Sequence, residues 1–141
     1  MKFPIKSFMI VGIDVYHGTI DRKKSCVGFV ASTNEFASRW WSQTFFQNSL
    51  EEIGQKLNLT MITAIRKFHE INGHVPQKII VYRDGVGDGQ LDSVVQTEVS
   101  QVANSIKFYM RDNQSAVETL PQLSYLIVQK RNNTKLSLSE N

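Results

Sequence analysis

Two aspartates stand where a buried strand has no use for them. Met9-Ile10-Val11-Gly12-Ile13-Asp14-Val15 and Ile79-Ile80-Val81-Tyr82-Arg83-Asp84 are apolar, β-branched runs, and each delivers a carboxylate at its C-terminal end. An ionised carboxylate at the edge of a core is costly unless it is paired. Two of them side by side repel unless a cation lies between. Hard oxygen donors brought together in this way suit Mg²⁺ or Mn²⁺, and such ions activate water and stabilise the leaving oxygen in phosphodiester cleavage. The plainer reading of the same residues is a strand-end Asp14, a turn Asp84 and a helix-capping Asp88. The glycines of Gly85-Val86-Gly87-Asp88-Gly89 suit a tight turn. They do not suit a nucleotide cradle: the spacing is G-x-G-x-G, no Walker lysine follows, and Asp84 and Asp88 would repel a phosphate.

For Asp14 and Asp84 to meet, neighbouring strands must hold them. Residues 7–15, 25–32 and 37–47 read as three strands with short polar connections, an antiparallel meander. The first is so continuously apolar that burial on both faces is expected. Trp40 and Trp41 are adjacent on the third and must face opposite sides, one of them into the core. The period then changes. Leu50, Ile53, Leu57, Met61, Ile65 and Phe68 mark one face of a helix. Ser49-x-x-Glu52 forms a capping box at its start, and Gly73 followed by Pro76 ends it. Residues 77–82 form a fourth strand, and Leu91, Val95, Val99, Val102 and Ile106 mark a second helix. Residues 112–121 are a polar loop, 123–129 a fifth strand and 131–141 a polar tail. The order is βββαβαβ. A right-handed crossover lays the fourth strand parallel to the first, which puts both aspartates at the sheet edge where α/β folds bind ligands.

The bulk numbers set the frame. The chain has 141 residues, 41% hydrophobic and 21% charged, which is enough for one soluble domain with a core. A formal net charge of +3 permits an anionic partner without demanding one. The basic clusters Arg22-Lys23-Lys24, Arg66-Lys67 and Lys130-Arg131 with Lys135 are of a kind that commonly forms solvated loops. Cys26 is the lone cysteine, in the apolar run Cys26-Val27-Gly28-Phe29-Val30. This excludes an internal disulfide and a cysteine zinc set, and reads as a buried thiol. No apolar run is long enough to span a bilayer, and the N-terminus lacks a leader pattern. The expectation is a cytoplasmic or nuclear protein with no membrane partner.

The element order, with metal carboxylates on the first and fourth strands, resembles the ribonuclease H fold. The wording of three segments goes further. Met9-Ile10-Val11-Gly12-Ile13-Asp14-Val15-Tyr16-His17, Tyr82-Arg83-Asp84-Gly85-Val86-Gly87-Asp88-Gly89-Gln90 and Val128-Gln129-Lys130-Arg131-Asn132-Asn133-Thr134 resemble the Piwi domain of Argonaute proteins, the Piwi branch in particular. The resemblance runs over residues 5–136, with 137–141 left as a polar tail. It implies an α/β, ribonuclease H-like fold with a mixed five-stranded sheet and helices packed on it. It also implies an RNA-binding module of small-RNA-guided silencing, with a guide RNA and a target RNA as partners.

In slicing members of that family, four side chains hold divalent metal and cut the paired target. Residue by residue, the resemblance maps Asp14 and Asp84 onto two of these ligands and Glu52 onto the "glutamate finger". The capping box with Ser49 accounts for Glu52 as well, and both readings stand. The family's fourth ligand, a His or Asp, lies downstream of the Gln-Lys-Arg segment. His17, His69 and His74 precede that segment and match other positions; His69 and His74 read as surface residues at a helix end and an adjoining loop. The expectation is therefore a Piwi domain shortened at both ends, with an incomplete Mg²⁺ or Mn²⁺ site and no efficient cleavage alone. Lys130, Arg131 and Lys135 are the expected phosphate contacts for an A-form duplex, which proteins grip by backbone and 2′-hydroxyl. Two rival readings remain: a competent endonuclease whose missing ligand comes from elsewhere, and a non-catalytic protein-interaction module or gene fragment with the carboxylates as relics. Gly18 stands where the family commonly has Asp, and Ser100 where Pro is frequent.

Overall fold

The computed structural model describes residues 7–17, 25–34, 37–47, 50–86, 94–113, 120–129 and 137–140. The elements run β1 Phe8–His17, β2 Ser25–Ser32, β3 Trp40–Gln47, α1 Leu50–Asn72 and β4 Lys78–Val86. A π-helical turn, Val94–Glu98, then leads directly into α2 Val99–Asp112, followed by β5 Gln122–Gln129 and β6 Ser137–Glu140. Among the described residues the strands form one six-stranded sheet in the order β3-β2-β1-β4-β5-β6. The meander β1–β2–β3 is antiparallel, and β4 joins β1 in parallel, as the crossover rule requires. β5 is parallel to β4 and β6 antiparallel to β5.

The five strands expected from the sequence are all present in their expected order. The sixth corrects the reading of residues 137–141 as a polar tail. Ser137–Glu140 pairs along the outer edge of β5, with Leu138 opposite Ile127. An open strand edge presents unpaired N–H and C=O groups, and this short segment takes them up.

Strand alternation sorts the side chains. Met9, Val11, Ile13 and Val15 of β1, Val27, Phe29 and Ala31 of β2, Ile79 and Val81 of β4, and Tyr125 and Ile127 of β5 are all buried. They share one cluster with Leu57, Met61, Ile65 and Phe68 of α1 and Val102, Ile106 and Tyr109 of α2. Both helices therefore cover the face bearing the odd-numbered strand residues. The even-numbered face differs from expectation. β1 is not fully buried on both sides: Phe8 is exposed, and Ile10, Gly12 and Asp14 are half-buried. The helices that bury the odd residues do not reach around the sheet. Trp41 turns inward and meets Phe29 edge-on at 5.9 Å, while Trp40 is 50% exposed on the other face.

The end of α1 is set by conformation. Gly73 has φ +81°, and no atom lies within 4 Å of where a Cβ would stand. The left-handed backbone therefore selects glycine there, not crowding. Its N–H donates to the His69 carbonyl at 2.8 Å. Asn72 Nδ2 donates to the carbonyls of Phe68 and Thr33, tying the helix end to the β2–β3 connection. The histidines here are not simple surface residues. His69 Nδ1 lies 2.8 Å from the Tyr109 hydroxyl, and His74 meets Phe68 edge-on, both rings half-buried. His69 lies between the two helices through Tyr109, and His74 packs on Phe68 beyond the end of α1.

Candidate metal centre and nucleic-acid interface

The two aspartates meet. In the parallel β1–β4 ladder Asp14 is the register partner of Asp84. Strand neighbours in a sheet lie about 4.8 Å apart, so both carboxylates rise from adjacent backbone positions on the open, even-numbered face. Neither strand ends there: β1 runs on to His17 and β4 to Val86. Asp14 and Asp84 form the last register pair of the β1–β4 ladder, short of the end of either strand.

A cavity of about 440 Å³ opens above them. Its floor is low because Gly12 and Gly28 carry no side chains, and Gly28 is the β2 partner of Asp14. At Gly12 a Cβ would be crowded, standing 3.0 Å from Val30 Cγ1, which would have to shift. Ser42 and Thr44 of β3 line one side, and the half-exposed Tyr82 ring the other. Two hydroxyls, an aromatic ring and two carboxylates thus surround one shallow trough.

On the opposite face, directly beside Asp84, lies a buried ionic cluster. Arg83 forks onto Glu98, with Nε to Oε1 at 2.8 Å and Nη2 to Oε2 at 2.9 Å. Both side chains are nearly inaccessible to solvent. The Tyr125 hydroxyl donates to Glu98 Oε1 at 3.1 Å, and Arg83 Nη1 donates to the carbonyl oxygen of Asp84. Burial alone would push the Arg83 guanidinium down. The hydrogen bond and charge of Glu98, with smaller contributions from Tyr125 and Asp14, hold it above its ordinary value. Burial, reinforced by the Glu98 charge and opposed by Arg83, holds the Tyr125 phenol well above 10.0.

This shift makes stability fall at alkaline pH. Below about 10, tyrosine is protonated in both the folded and unfolded chain, and the contribution is fully present. Above it the unfolded chain ionises while folded Tyr125 keeps its proton. The native state then binds more protons, and stability drops until the raised folded pKa is passed. The alkaline limb of urea-unfolding stability should be shallower in Tyr125→Phe than in the parent chain. Parallel limbs would show that Tyr125 titrates normally.

Sequence reasoning missed this cluster. Arg83 falls within the Tyr82-to-Gln90 segment, and Glu98 falls between Val95 and Val99 of the second helical stripe. Strand parity was the available signal, since Ile79, Val81 and Arg83 face the same way and a core arginine needs an acid. Among the described residues, no group of three or more His, Cys, Asp or Glu could hold a metal. The Glu52 position falls in the first turn of α1, but its side chain lies outside the described residues, as does all of Asp88. Lys130, Arg131 and Lys135 also lie outside them. Cys26 is half-buried, not fully enclosed.

Comparison with known families decides the relationship. The Piwi domain model matches residues 1–141. The chain belongs to the Piwi domain family. It is 42% identical over 135 residues to Piwi-like protein 1 of Gallus gallus, covering 96% of this chain and 15% of that protein. It is 40% identical over 138 residues to Piwi-like protein Ago3 of Bombyx mori, covering 98% of this chain and 14% of that one. The Piwi chain thus spans about a seventh of the length of these curated relatives. Its fold matches the Kluyveromyces polysporus Argonaute solved with a guide RNA, with a TM-score of 0.74, 25% identity and coverage of 95% and 16% of the two chains. It also matches the MID-PIWI domains of N. crassa QDE-2, with a TM-score of 0.73, 20% identity and coverage of 94% and 36%. The expected ribonuclease H-like α/β core is borne out. Among the described residues, no helix is long and apolar enough to cross a membrane.

Proposed function

We propose that this Piwi chain is an RNA-binding module of the small-RNA-guided silencing type, which seats a guide–target duplex over the open face of its sheet. The observation that carries the reading is the register pairing of Asp14 with Asp84 beneath a glycine-floored trough. The donor set fits a divalent cation: two hard carboxylates on adjacent strands suit Mg²⁺ or Mn²⁺. Asp14 and Asp84 would hold it, with Glu52 as the third candidate. When bound, such an ion would supply an activated water and charge stabilisation for the leaving oxygen. The chain's own residues orient the duplex. Gly12 and Gly28 let a backbone approach, while Ser42 and Thr44 offer hydroxyls to phosphate or 2′-hydroxyl oxygens. Lys130, Arg131 and Lys135, immediately after β5, are the proposed phosphate contacts.

Two described carboxylates are an incomplete constellation, and loss of one member of a catalytic set costs orders of magnitude in rate. Binding without efficient cleavage is therefore the expected behaviour of this chain. Isothermal titration of Mn²⁺ into the purified chain should show saturable binding, weakened at least about tenfold in Asp14→Ala/Asp84→Ala, roughly the loss of one to two charge-assisted ligands. Equal heats from both proteins would sink the metal reading. Guided cleavage that Asp84→Asn abolishes would favour the active-endonuclease alternative instead.

A further inference from the structure

Three features converge on the backbone of Asp84. The first is the guanidinium fork. Arg83 spends Nε and Nη2 on the two oxygens of Glu98, which leaves Nη1 for the Asp84 carbonyl oxygen. The guanidinium is planar and rigid, so whatever fixes Glu98 also fixes the position of that carbonyl.

The second is a break in register. β4 and β5 pair continuously to Arg83↔Ile127, and pairing resumes at Val86↔Gln129, so β4 carries one extra residue over this stretch. Such bulges re-aim side chains and loosen the ladder locally. Asp84 lies inside the irregular stretch, and its carbonyl is taken up by Arg83.

The third is the placement of Glu98. It is the last residue of the π-helical turn that precedes α2, and it is 5% exposed. π turns place residues off the ordinary helical phase and recur at functional sites. Tyr125 of β5 donates its hydroxyl to the same carboxylate. Strand β4, strand β5 and the entry to α2 are thereby locked at one acidic group.

A buried ion pair is a poor device for stability alone, because apolar replacements of similar volume commonly serve as well. The geometry here does something an apolar cluster would not. We propose that Glu98 and Tyr125 are positioning residues for the Asp84 carboxylate, acting through the Arg83 guanidinium. They lie on the helix-covered face, away from the trough, so they touch neither metal nor nucleic acid. The proposal rests on the reading of Asp14 and Asp84 as a metal site.

The test separates positioning from packing. The purified chain is compared with Glu98→Gln, with Tyr125→Phe, with the triple variant Arg83→Met/Glu98→Leu/Tyr125→Phe, and with Met61→Ala. Met61→Ala is a core-destabilising control on α1. Thermal melting, the backbone amide order parameter of Asp84 and Mn²⁺ affinity are measured for each. A rigid backbone has an order parameter of about 0.85. Glu98→Gln and the triple variant should lower the Asp84 value clearly below that and weaken Mn²⁺ about tenfold, although the triple variant melts at or above the parent temperature. Tyr125→Phe should show the same changes in smaller measure. Met61→Ala should melt early and leave both site readouts unchanged. A stable triple variant with rigid Asp84 and parental Mn²⁺ affinity would overturn the proposal. If the parent chain itself binds no Mn²⁺, the metal reading fails, and the Asp84 order parameter alone decides the positioning role: loosened in the triple variant it stands, unchanged it falls.

Discussion

Glu98→Ala is expected to lose about 3–5 kcal/mol of folding stability, the cost of leaving one buried charge without its partner. The reason is the asymmetry between making and breaking such a pair. In the native chain Arg83 and Glu98 meet through two hydrogen bonds at 2.8 and 2.9 Å, and Tyr125 adds a third at 3.1 Å. Truncation to alanine leaves the guanidinium buried with only the Asp84 carbonyl beside it. It also strands the Tyr125 hydroxyl, and a buried donor without an acceptor costs about 1–3 kcal/mol. Domains of this size hold roughly 5–15 kcal/mol in all, so the variant should sit near the edge of folding. Urea unfolding at pH 7 reads the effect as a lowered midpoint with an unchanged slope. The apolar triple variant should fall within about 1 kcal/mol of the parent or exceed it, because no desolvated charge remains. A mild Glu98→Ala, with a loss below about 1 kcal/mol, the range of an exposed ion pair, would mean that water reaches the cluster.

The same cluster shows what the chain's sequence makes legible and what it conceals. Long periodic signals survive translation into structure. The Leu57, Met61, Ile65 and Phe68 stripe is buried along α1, and β1 to β5 appear in the order their apolar runs predict. The Asp14–Asp84 meeting follows from two short inferences, apolar runs ending in acid and a right-handed crossover between them, and the register lands on it to the residue. Glu98 does not follow, because the π-helical turn inserts a phase shift that the 3.6-residue stripe of Val95, Val99 and Val102 hides. β6 escapes for another reason. A four-residue segment with one leucine has no pattern of its own and forms only because β5 offers it an edge. Glu52 remains readable as cap or as ligand, since both uses ask for the same residue at the same helix start.

Phe29→Ala is the second substitution expected to be severe, at about 3–5 kcal/mol, the range for deleting a buried aromatic side chain. Phe29 is 2% exposed near the middle of β2, between β1 and β3 in the sheet. Its ring meets Trp41 edge-on at 65°, and Lys67 of α1 places its ammonium 5.6 Å from the centre of the Trp41 ring. Removing the Phe29 ring opens a cavity and releases the contact that orients Trp41, so the damage spreads to the β3–α1 seam. Its chain neighbour offers the contrast. Val30 points to the opposite face, where it is half-buried beside Gly12. Val30→Ala should cost no more than about 1–1.5 kcal/mol, the loss of two partly buried methyl groups. The two variants differ by one position and by the face to which strand parity assigns them. Similar losses in urea unfolding would mean that both faces are equally covered, and the open trough above Asp14 and Asp84 would then be closed to nucleic acid. A gap of about 2 kcal/mol or more, the difference between those two ranges, places the packed core on the helix side and leaves the carboxylate face free to bind.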